Sequence, residues 1–168
     1  MIQLIVTASI FSFISGFFGV NWSAVDEKIE LEFPRVEFVS TAVLIQQYQD
    51  LDSGFPLIID VREQDEFRVS HLQNALNLET ADSVARLYED KDTPIIVYCS
   101  VGYRSARVAE GLSQLGYTNV LNLHHSIFEW ANKGYPMVNN DGETKKAHPF
   151  NRAWGALLDE PLRSYSIP

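Results

Sequence analysis

Cys99 is the only cysteine in the 168-residue chain, and it opens the run Cys99-Ser100-Val101-Gly102-Tyr103-Arg104-Ser105. A thiol attacks as its thiolate, so its reactivity depends on whether the surroundings favour negative charge. Before it, Thr93-Pro94-Ile95-Ile96-Val97-Tyr98 is a short apolar run of the kind that forms a buried parallel strand. After it, Val108, Ala109, Leu112 and Leu115 share one helical face, with Gly116 as terminator. The thiol is therefore expected in a tight strand-to-helix turn, where unpaired N–H groups and the positive end of a helix dipole stabilise an anion. Arg104 adds a fixed positive charge, Gly102 lets the backbone curl toward the sulfur, and the Ser105 hydroxyl is expected to cap the helix. All three lower the thiol pKa from its ordinary value of about 8.5. The competing reading is an inert core thiol.

Strands alternate with helices on either side of this turn. Strands are expected at Val36–Val39, Leu57–Val61, Ala75–Leu78, Pro94–Tyr98 and Asn119–Leu123. Helices are expected from Ser40, as N-cap, to Gln49, over Arg62–Phe67, from Asp82 to about Glu89, and over Ile127–Lys133. Leu51–Phe55 reads as a turn. This order implies an α/β layered fold with a mostly parallel central sheet flanked by helices. Ligands of such sheets lie at the carboxyl ends of the strands, where Asp60 and Cys99 both fall.

A hydrophobic content of 46% suits one globular core, and a net charge of -9 argues against nucleic acid as a partner. A single cysteine excludes internal disulfides and thiolate zinc sites, and His148 stands without clustered ligands, so no metal or cofactor is expected. Residues 1–25 carry no charged side chain and read as a signal peptide or membrane anchor, which implies export to the periplasm or a membrane facing away from the cytoplasm. An N-terminal core helix is the alternative. Residues 26–34 read as an acidic connector, 35–138 as the domain, and 139–168 as an extension packing through Phe150, Trp154 and Leu158.

Four stretches together resemble the rhodanese family of single-domain sulfurtransferases. Leu57-Ile58-Ile59-Asp60-Val61-Arg62-Glu63 with Glu66-Phe67 resembles its first motif, and His71-Leu72 through Leu78 its second. Val97 to Ser105 resembles its active loop, and Phe128 to Pro136 its closing motif. The resemblance spans Val36 to Val138. It implies a rhodanese-like three-layer fold and a Cys99 that takes sulfane sulfur from a small anionic donor such as thiosulfate. The sulfur would be held as a persulfide and yielded to a thiol or cyanide-like acceptor, which could itself be a thiol protein. Six amides from Ser100 to Ser105 would point at the sulfur, and Arg104 would hold the donor's anionic end. Related phosphatases place the arginine one residue later; here four residues separate Cys99 from Arg104, which favours sulfur.

The chain departs from the pattern at Ser70 and Asn74, where glycines are usual, and at His124-His125, which replace a Gly-Gly pair. These histidines are expected near the pocket rim, to lower the thiol pKa or meet the donor, or else to stand as ordinary loop histidines. Asp60 and Arg62 are further pocket candidates, with Asp60 expected chiefly to order Arg62 or loop amides. Two other functional classes stay open: a non-catalytic rhodanese-like binding or redox-sensing module, and a cysteine phosphatase or arsenate reductase.

Overall fold

The computed structural model describes residues 20–49 and 54–168. Five strands, β1 (Glu37–Val39), β2 (Leu57–Asp60), β3 (Leu76–Asn77), β4 (Ile95–Tyr98) and β5 (Val120–Leu123), form one parallel sheet in the order β1-β5-β4-β2-β3. Register pairs Ile58 with Ile96 and Ile59 with Val97. Because alternate residues face opposite sides, two apolar clusters arise. Ile58, Ile96, Tyr98 and Leu123 meet Leu44, Phe128 and Trp130 on one face, while Ile59 and Val97 meet Val84, Val108, Ala109 and Leu112 on the other.

The layers are thus supplied by α2 (Thr41–Gln49) and α6 (Ser126–Asn132) on the first face, and by α4 (Ala81–Leu87) and α5 (Tyr103–Gln114) on the second. The short α3 (Gln64–Val69) follows β2. Ser40 Oγ accepts from Val43 N at 3.2 Å, the capping geometry expected of it. Asn74 adopts φ 61, a conformation asparagine tolerates, and Ser70 is extended, so neither departure from glycine distorts the chain.

Two regions differ from expectation. The acidic stretch 26–34 is not a connector: Trp22–Glu32 is helix α1, whose N-cap Asn21 accepts from Ala24 N. Val25, Ile29 and Phe33 recur every four residues and bury one stripe against the domain, leaving the acidic side chains outward. The helix begins inside the stretch assigned to export, whose first 19 residues lie outside the described ones, as does most of the turn expected at 51–55. Among the described residues no helix is long and apolar enough to cross a membrane.

The second difference is in the tail. Strands β6 (Met137–Asn139) and β7 (Gly142–Thr144) form an antiparallel hairpin, tied to the domain through the backbone of His71 and Val138. Beyond it, Asn132 on α6 grips the chain at both Leu157 O and Asp159 N, each at 2.9 Å. Leu158 is fully buried, whereas Phe150 and Trp154 are only half-buried and reach the loop between β4 and α5.

Candidate active site

Cys99 leaves the carboxyl end of β4 and the chain turns at once into α5. The turn is made at Gly102, whose φ of 104 only glycine adopts without strain, and this brings its N–H to 3.2 Å from Cys99 Sγ. The Gly102 amide bonds the sulfur, and the Ser105 amide and hydroxyl dipoles beside it further favour its negative form. Burial pushes the thiol pKa up, but the Arg104 charge and these polar groups outweigh it and hold the thiol below its ordinary value. Ser105 does not cap the helix as expected. Its hydroxyl instead bonds the Gly102 carbonyl at 3.2 Å, because Gly102 itself is the N-cap and Ser105 already lies in the first turn.

Arg104 is held by a partner the sequence reading did not assign. Glu66, on α3, accepts from both terminal nitrogens of the guanidinium at 2.8 Å and from the Ser100 hydroxyl at 3.0 Å. Burial raises the Glu66 pKa, but Arg104 and Arg62 prevail and hold its carboxyl below the usual range. The outer face of the guanidinium stacks on the Phe150 ring, 4.5 Å from its centroid. Phe150 is set there by a left-handed turn, φ 62, in which its N–H donates to His148 Nδ1 at 3.1 Å.

Over the thiol lies a cavity of about 240 Å³, walled by Cys99, Ser100, Val101, Tyr103, Arg104, Phe150 and Trp154. Of the loop residues expected there, Ser100, Val101, Tyr103 and Arg104 line it and Gly102 and Ser105 do not, and two aromatic side chains of the tail join them. Four other expected residues do not line it. Asp60 and Arg62 are fully buried below the loop, paired at 2.7 Å, with Arg62 also donating to Ser70 O at 2.6 Å. They hold the carboxyl end of β2 to the start of the next turn. His124 and His125 turn instead toward Asp26 of α1, because α1 covers the side on which they stand.

The site is thus a buried thiol of lowered pKa at the carboxyl edge of the parallel sheet of an α/β fold. A family model described as Rhodanese-like domain matches residues 44–133, more than half the chain, and the protein belongs to that family. A sulfurtransferase of Allochromatium vinosum is 36% identical over 92 residues, covering 54% of this chain and 86% of its own length. Thiosulfate sulfurtransferase GlpE of Coxiella burnetii is 38% identical over 79 residues, 44% of this chain and 70% of its own. The solved thiosulfate sulfurtransferase of Pseudomonas aeruginosa shares the fold, with a TM-score of 0.58 at 24% identity over 74% of this chain and 24% of that one.

Proposed function

We propose that this chain is a sulfurtransferase that carries sulfane sulfur as a persulfide on Cys99. The observation that carries the reading is the thiol itself: buried, bonded by Gly102 N–H at 3.2 Å, and held below its ordinary pKa by Arg104. The Cys99 thiolate would attack the outer sulfur of a donor such as thiosulfate, forming a new S–S bond while sulfite leaves with the electron pair of the old one. The acceptor, a thiolate or cyanide, then attacks that outer sulfur, and the thiolate returns. No net oxidation or proton change is needed. The same amides that favour the thiolate would stabilise the terminal sulfur of the persulfide.

With Glu66 compensating Arg104, and Phe150 and Trp154 forming the outer wall, the pocket favours a slim donor with an apolar flank, such as an arylthiosulfonate, over the compact thiosulfate dianion. Intact mass after incubation with thiosulfate or an arylthiosulfonate tests the reading. A gain of one sulfur, about 32 mass units, removed by cyanide and absent in Cys99→Ser, supports it. No gain with these donors or with polysulfide refutes it, and turnover of an aryl phosphate would assign the site to a phosphatase. An exported address rests on the uncharged apolar run at 1–25, and fractionation with N-terminal sequencing tests it.

A further inference from the structure

A second group of chemistry-bearing side chains lies outside the thiol cavity, at the carboxyl end of the neighbouring strand. His124 and His125 follow β5, and Asp26 reaches them from α1 across 98 residues of sequence. His124 Nε2 and His125 Nε2 each lie 3.0 Å from Asp26 Oδ1, and His125 Nε2 lies 3.2 Å from Oδ2. One ligand atom from each of the three residues falls within 4.8 Å of the other two. The imidazoles stack on one another at 3.8 Å, and the Trp22 ring lies tilted against His125 at 4.2 Å.

We infer that Asp26, His124 and His125 form a binding site for a divalent transition-metal cation of the zinc type. A tetrahedral cation with N and O ligands at about 2.0–2.2 Å separates those ligands by roughly 3.3 Å, close to the 3.0 Å between each histidine nitrogen and the Asp26 oxygen. Two imidazoles and a carboxylate suit Zn²⁺ and its neighbours in the first transition row, and three protein ligands leave a fourth position for water.

The hydrogen bonding of His125 points the same way. Its Nδ1 lies 3.2 Å from Glu129 Oε1 while its Nε2 faces Asp26, so both ring nitrogens look at carboxylates. A neutral imidazole has one N–H. Donating it to Glu129 leaves a lone pair at Nε2 against the Asp26 oxygens, an opposition of two acceptors that a cation between them turns into attraction. Glu129 then plays the outer carboxylate that fixes a metal-bound histidine, and is itself held by Thr41 and Lys133. The turn supporting this arrangement is strained: His125 and Ser126 adopt φ 55 and 50, unusual for residues other than glycine. Bound metal would pin α1 to the β5–α6 turn. This site does not depend on Cys99 or on sulfur transfer.

Cobalt(II) titration of the full chain, followed by d–d absorption and then displaced by zinc, tests the site. One equivalent is expected to bind, in wild type and in Cys99→Ser alike. Asp26→Asn and His124→Ala, both at partly exposed positions, are expected to weaken binding by about a hundredfold or more, and Glu129→Gln by about tenfold to a hundredfold. Circular dichroism of each variant verifies that it is folded. Absence of saturable binding overturns the inference, as does binding that survives Asp26→Asn and His124→Ala or is lost in Cys99→Ser. Nitrogen chemical shifts showing His125 protonated at both ring positions with zinc present would also overturn it, assigning the cluster to a plain ion pair.

Discussion

The β4–α5 and β5–α6 turns leave adjacent parallel strands in the same direction, and each enters its helix through a residue of positive φ at the N-cap: Gly102 in one, His125 in the other. With glycine there, the backbone itself comes close, and its N–H reaches Cys99 Sγ. With histidine, the side chain is presented instead, and its nitrogens meet Asp26 and Glu129. On the two readings proposed above, one edge of one sheet offers a seat for an anion beside a seat for a cation. The residue at the left-handed position decides which. The two turns are also stitched together, since the Ser126 hydroxyl accepts from Cys99 N at 3.1 Å and Asn122 donates to Gly102 O at 2.9 Å.

The comparison breaks most completely if the first turn is not a nucleophile's seat. Cys99→Ser is expected to abolish sulfur uptake, read as loss of the mass gain. Glu66→Gln comes next, because it removes the charge that pairs with Arg104 and turns one of the two acceptor oxygens into a donor facing donors; urea melts are expected to show about 2–3 kcal/mol of destabilisation. Glu66 titrates below its unfolded value. Its contribution is therefore present above an unfolded pKa of about 4.3 and is lost as pH falls through the lower folded value, so wild type should lose more stability than Glu66→Gln on acidification.

The link between the turns is tested by Ser126→Ala, which leaves the buried Cys99 N–H without its acceptor, an expected cost of about 1–2 kcal/mol with slower sulfur uptake. The anion preference of the first turn appears in wild type as an alkylation rate whose midpoint with pH falls below the free thiol's value of about 8.5, because a lowered pKa keeps the thiolate populated to lower pH. A midpoint at or above that value removes the contrast between the turns. The smallest effect is expected for Trp154→Ala: a modest fall in kcat/KM for an arylthiosulfonate relative to thiosulfate, with little change in global melting.

What could be read in the chain was local. The β4 run, the loop and the α5 face are contiguous, and their apolar spacing fixes the order strand, turn, helix without help from elsewhere. Helix α1 carried a signal too, Val25, Ile29 and Phe33 at four-residue intervals behind Asn21, but it was outweighed by the acidic residues between them. Glu66 was visible as a motif residue, while its role depends on a partner 38 positions away. The apolar pattern of the tail sets Phe150 and Trp154 on the domain but not over the thiol, because the grip of Asn132 on Leu157 and Asp159 that fixes the tail depends on residues far away in sequence. The meeting of Asp26 with the two histidines has no local signature. It exists only once α1 folds back.

The first-turn amides of α6 carry one further consequence. Ile127 N and Phe128 N donate to the carbonyls of Cys99 and Ser100 at 3.2 and 3.1 Å. With these carbonyls tied to the neighbouring helix, the peptide planes at the start of the sulfur loop are locked. In the proposed cycle, as charge passes from thiolate to persulfide and back, such dipoles would have little freedom to rotate, whereas water around a free thiol would have to reorient at each step. The reorganisation energy of the proposed reaction would thereby be kept small by an arrangement present before any donor binds.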